Sequence, residues 1–367
     1  MDELAHDLTA AVVEPISVAA DLTPSWLQSA LRAAGYDATI TRLSVEPVGT
    51  GQLSVSLRAR FDVATPVSGL PGSVVVKIPA ADPGMLAFLA NGYLVEVGFY
   101  RELAPTVKVD VPRCHLALAS PDGTSFTLVL EDLAPATQGD QVAGASVAQA
   151  AAAARNLAGL HGPRWSDPAL WDSPELRSAA DPAAGQLMAE MFAGVLPLVA
   201  ERLGAALSAE DYATLTEAGA VLGDFLSARP TRFSIIHGDY RLDNLMFCPD
   251  GRVRAVDWQT VTIGLPARDV AYLLGTSLSV ADRRAAEDEL VRAYWEELAR
   301  HGVAGYGLQE CFDDYRLGML QGPLIAVLGM AVGAPTERGN AMFAAMIARS
   351  CQAIRDLGTI KLAAGGA

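Results

Sequence analysis

The stretch Ile236-His237-Gly238-Asp239-Tyr240-Arg241-Leu242-Asp243-Asn244-Leu245 gathers a histidine, two carboxylates, an arginine and an amide into one short run. It continues into Met246-Phe247-Cys248-Pro249-Asp250-Gly251-Arg252-Val253-Arg254-Ala255-Val256-Asp257-Trp258, where Pro-Asp-Gly stands between two alternating apolar runs, the pattern of a β-hairpin. A two-residue turn at Asp250-Gly251 sets Asn244 opposite Asp257, and a three-residue turn shifts the pairing by one. In either register the hairpin returns Asp257 to the end where Asn244 and Asp239 lie. One carboxylate and one amide oxygen there suit a hard cation such as Mg²⁺, and Asp239, just upstream, is free to act as a base.

A second chemical position is Lys77, which closes the run Val74-Val75-Val76-Lys77. An ammonium group after three β-branched residues is costly to bury unless an anion is near, although a lysine at a strand end can also snorkel to water. Downstream, Glu96, Phe99, Tyr100 and Leu103 follow i, i+3, i+4, i+7 spacing, so Glu96 shares an inward helix face while Glu102 falls on another. Ahead of the lysine, Gly49-Thr50-Gly51-Gln52-Leu53-Ser54 is a turn whose backbone N–H groups could close over phosphates.

The elements that must position these groups change character along the chain. Thr23 is placed to cap a helix with Pro24 at its first position, and this amphipathic stretch ends at Gly35. From Ile40 to Ile78 the pattern alternates, with Leu53 to Val63 and Ser73 to Ile78 reading as strands of an antiparallel sheet. Met85 to Leu103 returns to helical spacing, and Thr127 to Leu133 is a short buried strand running into a connector. Beyond it, Ala143 to Leu160 is alanine-rich, and the remainder is helical apart from Ile235 to Trp258. The expectation is an α+β chain with a β-rich N-terminal lobe over 1–133 and a mainly helical C-terminal lobe over 134–367, two unequal lobes that imply a cleft.

Composition narrows the function classes. With 51% hydrophobic and 19% charged residues the chain lacks the signature of disorder, and its net charge of −15 argues against a nucleic-acid partner, which clustered Lys and Arg would bind. Cys114, Cys248, Cys311 and Cys351 are too far apart for a CxxC metal or redox motif and read as thiols of a reducing compartment. Met1-Asp-Glu-Leu-Ala-His-Asp carries no secretory pattern, so a cytoplasmic location is expected. Leu317 to Ala334 has Gln321 as its one polar side chain and Gly318 and Gly322 at GxxxG spacing, but Gly322-Pro323 interrupts it and no basic flank follows. It is expected to be a buried core helix rather than a membrane span.

His237-Gly-Asp239 to Asn244, Val256-Asp257, and Gly264-Leu-Pro266-Ala-Arg-Asp269 together resemble the signature of the aminoglycoside phosphotransferase family and its choline-kinase and ecdysteroid-kinase-like relatives, which share the protein-kinase-like fold. The resemblance runs from about residue 40 to 275. It implies that Asp239 accepts the proton of an attacking hydroxyl while Asn244 and Asp257 hold Mg²⁺ on nucleotide phosphates. His237 would shape the loop and Asp269 would brace it. Arg241 stands where protein kinases place a lysine near the transferred phosphate; it could neutralise charge there or lie in solvent. Lys77 would pair with phosphates and with a glutamate, for which Glu96 is the candidate. Gly49, Gly51 and Ser54 match the nucleotide loop without the third glycine of protein kinases. Leu128 to Leu133, with Glu131 and Leu133, resembles the hinge whose backbone binds adenine.

The implied activity is ATP-dependent, Mg²⁺-requiring transfer of a γ-phosphoryl group to a hydroxyl of a small molecule, so the expected partners are a nucleotide and a small hydroxylated acceptor. A protein kinase is disfavoured: eleven residues, Trp258 to Arg268, separate Asp257 from Asp269, and Trp258-Gln259 replaces the aromatic-glycine pair after the metal aspartate. Alternatives are an aminoglycoside-type antibiotic kinase and a catalytically weak nucleotide-binding regulatory protein. The second loses ground because Lys77, Asp239, Asn244 and Asp257 are all present. Acidic stretches such as Glu210-Asp211, Glu287-Asp288-Glu289 and Glu296-Glu297 read as solvated surface. The candidate acceptor region instead holds Met188, Met191, Phe192 and the Leu317 segment, which points to a neutral or largely apolar acceptor.

Overall fold

Alternation between residues 40 and 79 folds as three antiparallel strands, β1 (Ile40–Val48), β2 (Ser54–Val63) and β3 (Ser73–Pro79). They follow helix α1 (Pro24–Ala33), where Thr23 Oγ1 accepts from the Trp26 N–H at 3.2 Å with Pro24 at the first position. Helix α2 (Pro83–Gly98) comes next, then β4 (Cys114–Ala119) and β5 (Phe126–Glu131), giving a sheet in the order β1-β2-β3-β5-β4. Leu27 and Leu31 of α1 pack with Leu57, Val74, Val76 and Val129 into its core. In this computed structural model the described residues are 13–49, 53–80, 83–177 and 182–365; Gly51, assigned above to the nucleotide loop, lies outside them.

The chain divides into two compact units, one of residues 1–101 with 112–132, the other of 102–111 with 133–367. Residues 102–111 therefore depart from the continuous 1–133 lobe expected above. The reason is hydrogen bonding: the Lys108 N–H donates to the Gly159 carbonyl at 2.8 Å, the Asp110 N–H to Asn156 Oδ1 at 2.7 Å, and the Ala255 N–H to the Asp110 carbonyl at 2.9 Å.

The second unit is mainly helical: α3 (Val147–His161), α4 (Pro174–Arg177), α5 (Pro182–Leu203), α6 (Ala209–Ser227), α7 (Ala267–Ser277), α8 (Val280–Arg300), α9 (Leu308–Gly318), α10 (Gln321–Val332), α11 (Glu337–Leu357) and α12 (Thr359–Ala364). Two small sheets interrupt it. One pairs β7 (Ser234–Ile236) with β10 (Thr262–Gly264), and the other runs β6 (Thr137–Gln138), β8 (Leu245–Phe247), β9 (Val253–Ala255). Ser146 caps α3 in a capping box with Gln149.

The apolar segment from Leu317 is two helices, not one. α9 ends at Gly318 and α10 opens at Gln321, with Met319 and Leu320 in the turn. The stretch Leu308–Val332 is long and apolar enough to cross a membrane by composition, but two-thirds of its most apolar window is buried within the protein. Its glycines serve close packing: a Cβ on Gly318 would lie 2.6 Å from the Ala267 carbonyl of α7, and one on Gly322 2.7 Å from Ser350 Cβ of α11. Glu287, read above as solvated, is buried on α8, where it accepts from Arg283 at 2.6 Å and from the Tyr315 hydroxyl at 3.0 Å.

Candidate active site

In the first unit, Lys77 is buried near the end of β3, opposite Ser56 of β2 and Leu128 of β5. Its Nζ donates to both Glu96 oxygens at 2.7 Å, and Glu96 is 1% exposed. The anion that makes burial of this ammonium tolerable is thus the α2 carboxylate on the face marked by the i, i+3, i+4, i+7 spacing. Gly49 follows β1 with φ +78°, a left-handed conformation that favours glycine. Ser54 opens β2, buried, with Leu53 just ahead of it accepting from the Tyr93 hydroxyl at 2.5 Å. Glu131 ends β5, its N–H donating to the Arg113 carbonyl at 2.8 Å and its carboxylate accepting from the Arg113 N–H at 3.0 Å. Asp132, next to it, holds Arg58 at 2.8 Å and Ser73 at 2.7 Å. Leu133, the first residue of the second unit's main segment, accepts from the Ala136 N–H at 2.8 Å.

In the second unit, strand β7 delivers His237 into a tightly bonded loop. The Asp269 carboxylate, fully buried in the first turn of α7, accepts from the N–H groups of His237 at 2.6 Å and Gly238 at 3.0 Å, and His161 Nε2 lies 3.3 Å away. Burial pushes the Asp269 carboxyl up, but the bond from His161 and the backbone donors outweigh it and hold the group below its ordinary value. His237 Nε2 donates to the Val256 carbonyl at 3.1 Å while Nδ1 accepts the Asp239 N–H at 3.3 Å. Gly238 has φ +81°, and a Cβ there would lie 2.6 Å from the Thr260 carbonyl, so the tight turn requires glycine.

Asp239, at the head of this loop, has its carboxylate fixed by three donors. Tyr272 donates its hydroxyl to Oδ1 at 2.7 Å, Asn244 donates Nδ2 to Oδ2 at 2.9 Å, and Arg241 Nε lies 3.2 Å from both oxygens. Burial and the Asp239 charge push the Tyr272 phenol well above its ordinary value, so it remains a donor. Arg241 is not solvent-exposed: its NH1 also donates to Asp243 at 2.7 Å and meets Met342 Sδ at 3.1 Å. Asp243, buried, accepts further from Arg338 at 3.1 Å and 3.2 Å and from the Gln141 N–H at 3.0 Å. Burial alone would raise its carboxyl; Arg338 and Arg241 reverse that and hold it low.

The hairpin takes the longer turn. Leu245 pairs with Ala255 and Phe247 with Val253, and the Cys248 N–H donates to the Arg252 carbonyl across Pro249-Asp250-Gly251. Asn244 therefore faces Val256, whose N–H donates to the Asn244 carbonyl at 3.0 Å, and Asp257 stands one residue beyond with φ +67°. Among the described residues no group of three His, Cys, Asp or Glu side chains could hold a metal.

The spacing argument did not reach Tyr272, Asp243, Arg338 or Gln321. Tyr272 had a signal, since it sits one turn after Asp269 at i+3 on the same helix; Asp243 lies within the Asp239–Asn244 run but was given no role, and Arg338 and Gln321 come from distant parts of the chain.

A profile of the phosphotransferase enzyme family matches residues 61–306. Among solved structures, an ethanolamine kinase from Plasmodium vivax is similar with a TM-score of 0.52 at 11% identity, over 86% of this chain and 84% of that one. A choline kinase from Cryptosporidium parvum Iowa II is similar with a TM-score of 0.52 at 11% identity, over 88% of this chain and 92% of that one. Both likenesses are of the α+β, kinase-like fold. A 46-residue segment is 52% identical to acyl-CoA dehydrogenase family member 10 of Mus musculus, 12% of this chain and 4% of that protein's length.

Proposed function

The chain belongs to the phosphotransferase enzyme family, and on that premise we propose that it transfers the γ-phosphoryl group of ATP to a hydroxyl of a small molecule with the help of Mg²⁺. The observation that carries the reading is the carboxylate of Asp239, held in one orientation by Tyr272, Asn244 and Arg241 on a loop that Asp269 hangs from two backbone N–H groups. A base so fixed needs no rearrangement to meet a hydroxyl. Asp239 takes the hydroxyl proton as the acceptor oxygen bonds to phosphorus and ADP departs. Arg241 steadies both ends of the loop, and Lys77, oriented by Glu96, is assigned to the nucleotide phosphates.

Asn244 and Asp257 would hold the Mg²⁺. The amide nitrogen of Asn244 is engaged with Asp239, which leaves its oxygen for a cation, and an amide with one carboxylate, completed by phosphate and water, is a donor set that suits Mg²⁺. When bound, the ion neutralises charge on the phosphates. For the acceptor, the exposed Leu187, Met188, Met191 and Leu198 of α5 support a neutral or largely apolar compound over a polycationic aminoglycoside.

The test is Asp239→Asn. Turnover is expected to fall by about 10²–10⁴-fold with calorimetric Mg·ATP affinity near wild type, whereas Asp257→Ala should lose Mg²⁺-dependent nucleotide binding. Near-normal turnover in the first variant would reject Asp239 as the base.

A further inference from the structure

Partly or fully buried arginines of the second unit are generally answered by oxygen atoms. Arg232 meets Asp314, Arg283 meets Glu287 and Asp356, Arg355 meets Asp211, and Arg202 and Arg349 reach main-chain carbonyls. Arg268 differs. It lies in the first turn of α7, partly buried, with Nε donating to Gln321 Oε1 at 2.9 Å and the guanidinium 5.2 Å from the Phe225 ring centroid. A Cβ on Gly264 would come within 3.3 Å of its NH1. Among the described residues no carboxylate forms an ion pair with it, and its two terminal nitrogens have no hydrogen-bond acceptor. Neighbouring Asp269 cannot serve, because its oxygens accept from His237, Gly238 and His161. Burial accordingly pulls the guanidinium down to about 10, and the Asp269 charge offsets only part of that.

The position is informative as well as the missing partner. Tyr272, four residues on and so on the same face of α7, holds Asp239 by its hydroxyl. Gln321, which fixes Arg268 Nε, donates its Nε2 to the Gly238 carbonyl at 2.8 Å, next to Asp239. The plane of the guanidinium is thus set by Gln321 and Phe225 beside the loop that carries the base. A rigid planar fork with its terminal N–H groups open matches two oxygens of a carboxylate or phosphate, and a partly buried cation without an anion carries a desolvation cost that such a ligand removes.

We infer that Arg268 receives an oxyanion, carboxylate or phosphate, carried by the same molecule whose hydroxyl meets Asp239. This rests on the phosphotransfer reading and narrows it to a largely apolar acceptor with one anionic end; an ammonium group at this position would be repelled.

The experiment compares 6-hydroxyhexanoate with its methyl ester, and glycerol 3-phosphate with glycerol, in the wild type, Arg268→Gln and Arg268→Lys. Both KM and calorimetric binding to the resting protein are read, and melting curves check that each variant folds. One anionic probe should bind at least tenfold more tightly than its uncharged counterpart, and the pair that shows it distinguishes carboxylate from phosphate. Arg268→Gln should bring that ratio to within twofold of unity. Arg268→Lys, which keeps the charge but loses the fork, should retain an intermediate ratio and carries the test if the glutamine variant does not fold. No binding of either anion to the wild type, or a ratio unchanged in the variants, overturns the inference. An anion bound through Arg268 without ATP-dependent phosphorylation supports this site and rejects the phosphotransfer reading. Phosphorylation without anion preference does the reverse.

Discussion

Lys77 and Asp239 are both held charged groups, but they are held differently. Lys77 pairs with Glu96, and both lie almost wholly out of water. Asp239 belongs to a mesh in which Tyr272, Asn244 and Arg241 share its oxygens, Arg241 passes on to Asp243, and Asp243 to Arg338 and Gln141. A buried pair fails as a unit, since removing one member strands the other charge in a poor dielectric. A mesh loses one strand at a time, except where a single group carries several donors at once.

Asp269 is that exception and gives the largest expected effect on stability. Asp269→Ala leaves two buried backbone N–H groups without an acceptor, at ~1–3 kcal/mol each, so a loss of about 4 kcal/mol is expected in denaturant titration. The effect depends on pH. Because the folded-state value of Asp269 is depressed, its contribution is fully present above its ordinary 3.8 and disappears as pH falls through the lower folded value. The gap between wild type and variant should therefore close in acid; a gap constant down to the acid limit would contradict the assigned bonding.

The Lys77 pair should give the next largest effect and a different signature. Lys77→Met alone is expected to destabilise by roughly 3 kcal/mol, because the buried Glu96 carboxylate loses the ammonium it faces at 2.7 Å. Adding Glu96→Leu should recover most of that loss while turnover stays abolished. If the double variant is no more stable than the single, the pair does not behave as an isolated unit. The smallest effect belongs to Arg338→Ala. Its side chain is 46% exposed, and Asp243 keeps Arg241 and Gln141, so a thermal or chemical melt should show a change of about 1 kcal/mol or less.

What could be read in advance follows the same division. Glu96 was legible because helical periodicity is local: four residues at fixed spacing define a face. The hairpin was legible from Pro249-Asp250-Gly251, but its register was not, and the turn chosen moved the residue opposite Asn244 from Asp257 to Val256. A one-residue shift is decided by backbone geometry that composition does not encode. The place of segment 102–111 was not legible, because its bonds run to Gly159, Asn156 and Ala255, far along the chain. Arg338 was invisible for the same reason, and Gln321 stood out only as the one polar side chain of an apolar run, with no partner readable. The apolar run from Leu317 was legible as core, yet its break into α9 and α10 lies at Met319-Leu320, apolar residues with no turn signal of their own.

The strand order of the first unit bears on how the protein is made. β5 sits between β3 and β4 but is the last of the five to be synthesised. While the chain emerges from a ribosome, the strand that carries Lys77 has one edge covered by β2 and the other bare until Leu128, its partner on β5, has appeared. An unpaired apolar edge is a site for association with other chains. The nascent chain is therefore most exposed to aggregation between completion of β3 and arrival of β5, and a chaperone that shields strand edges would act on it in that interval.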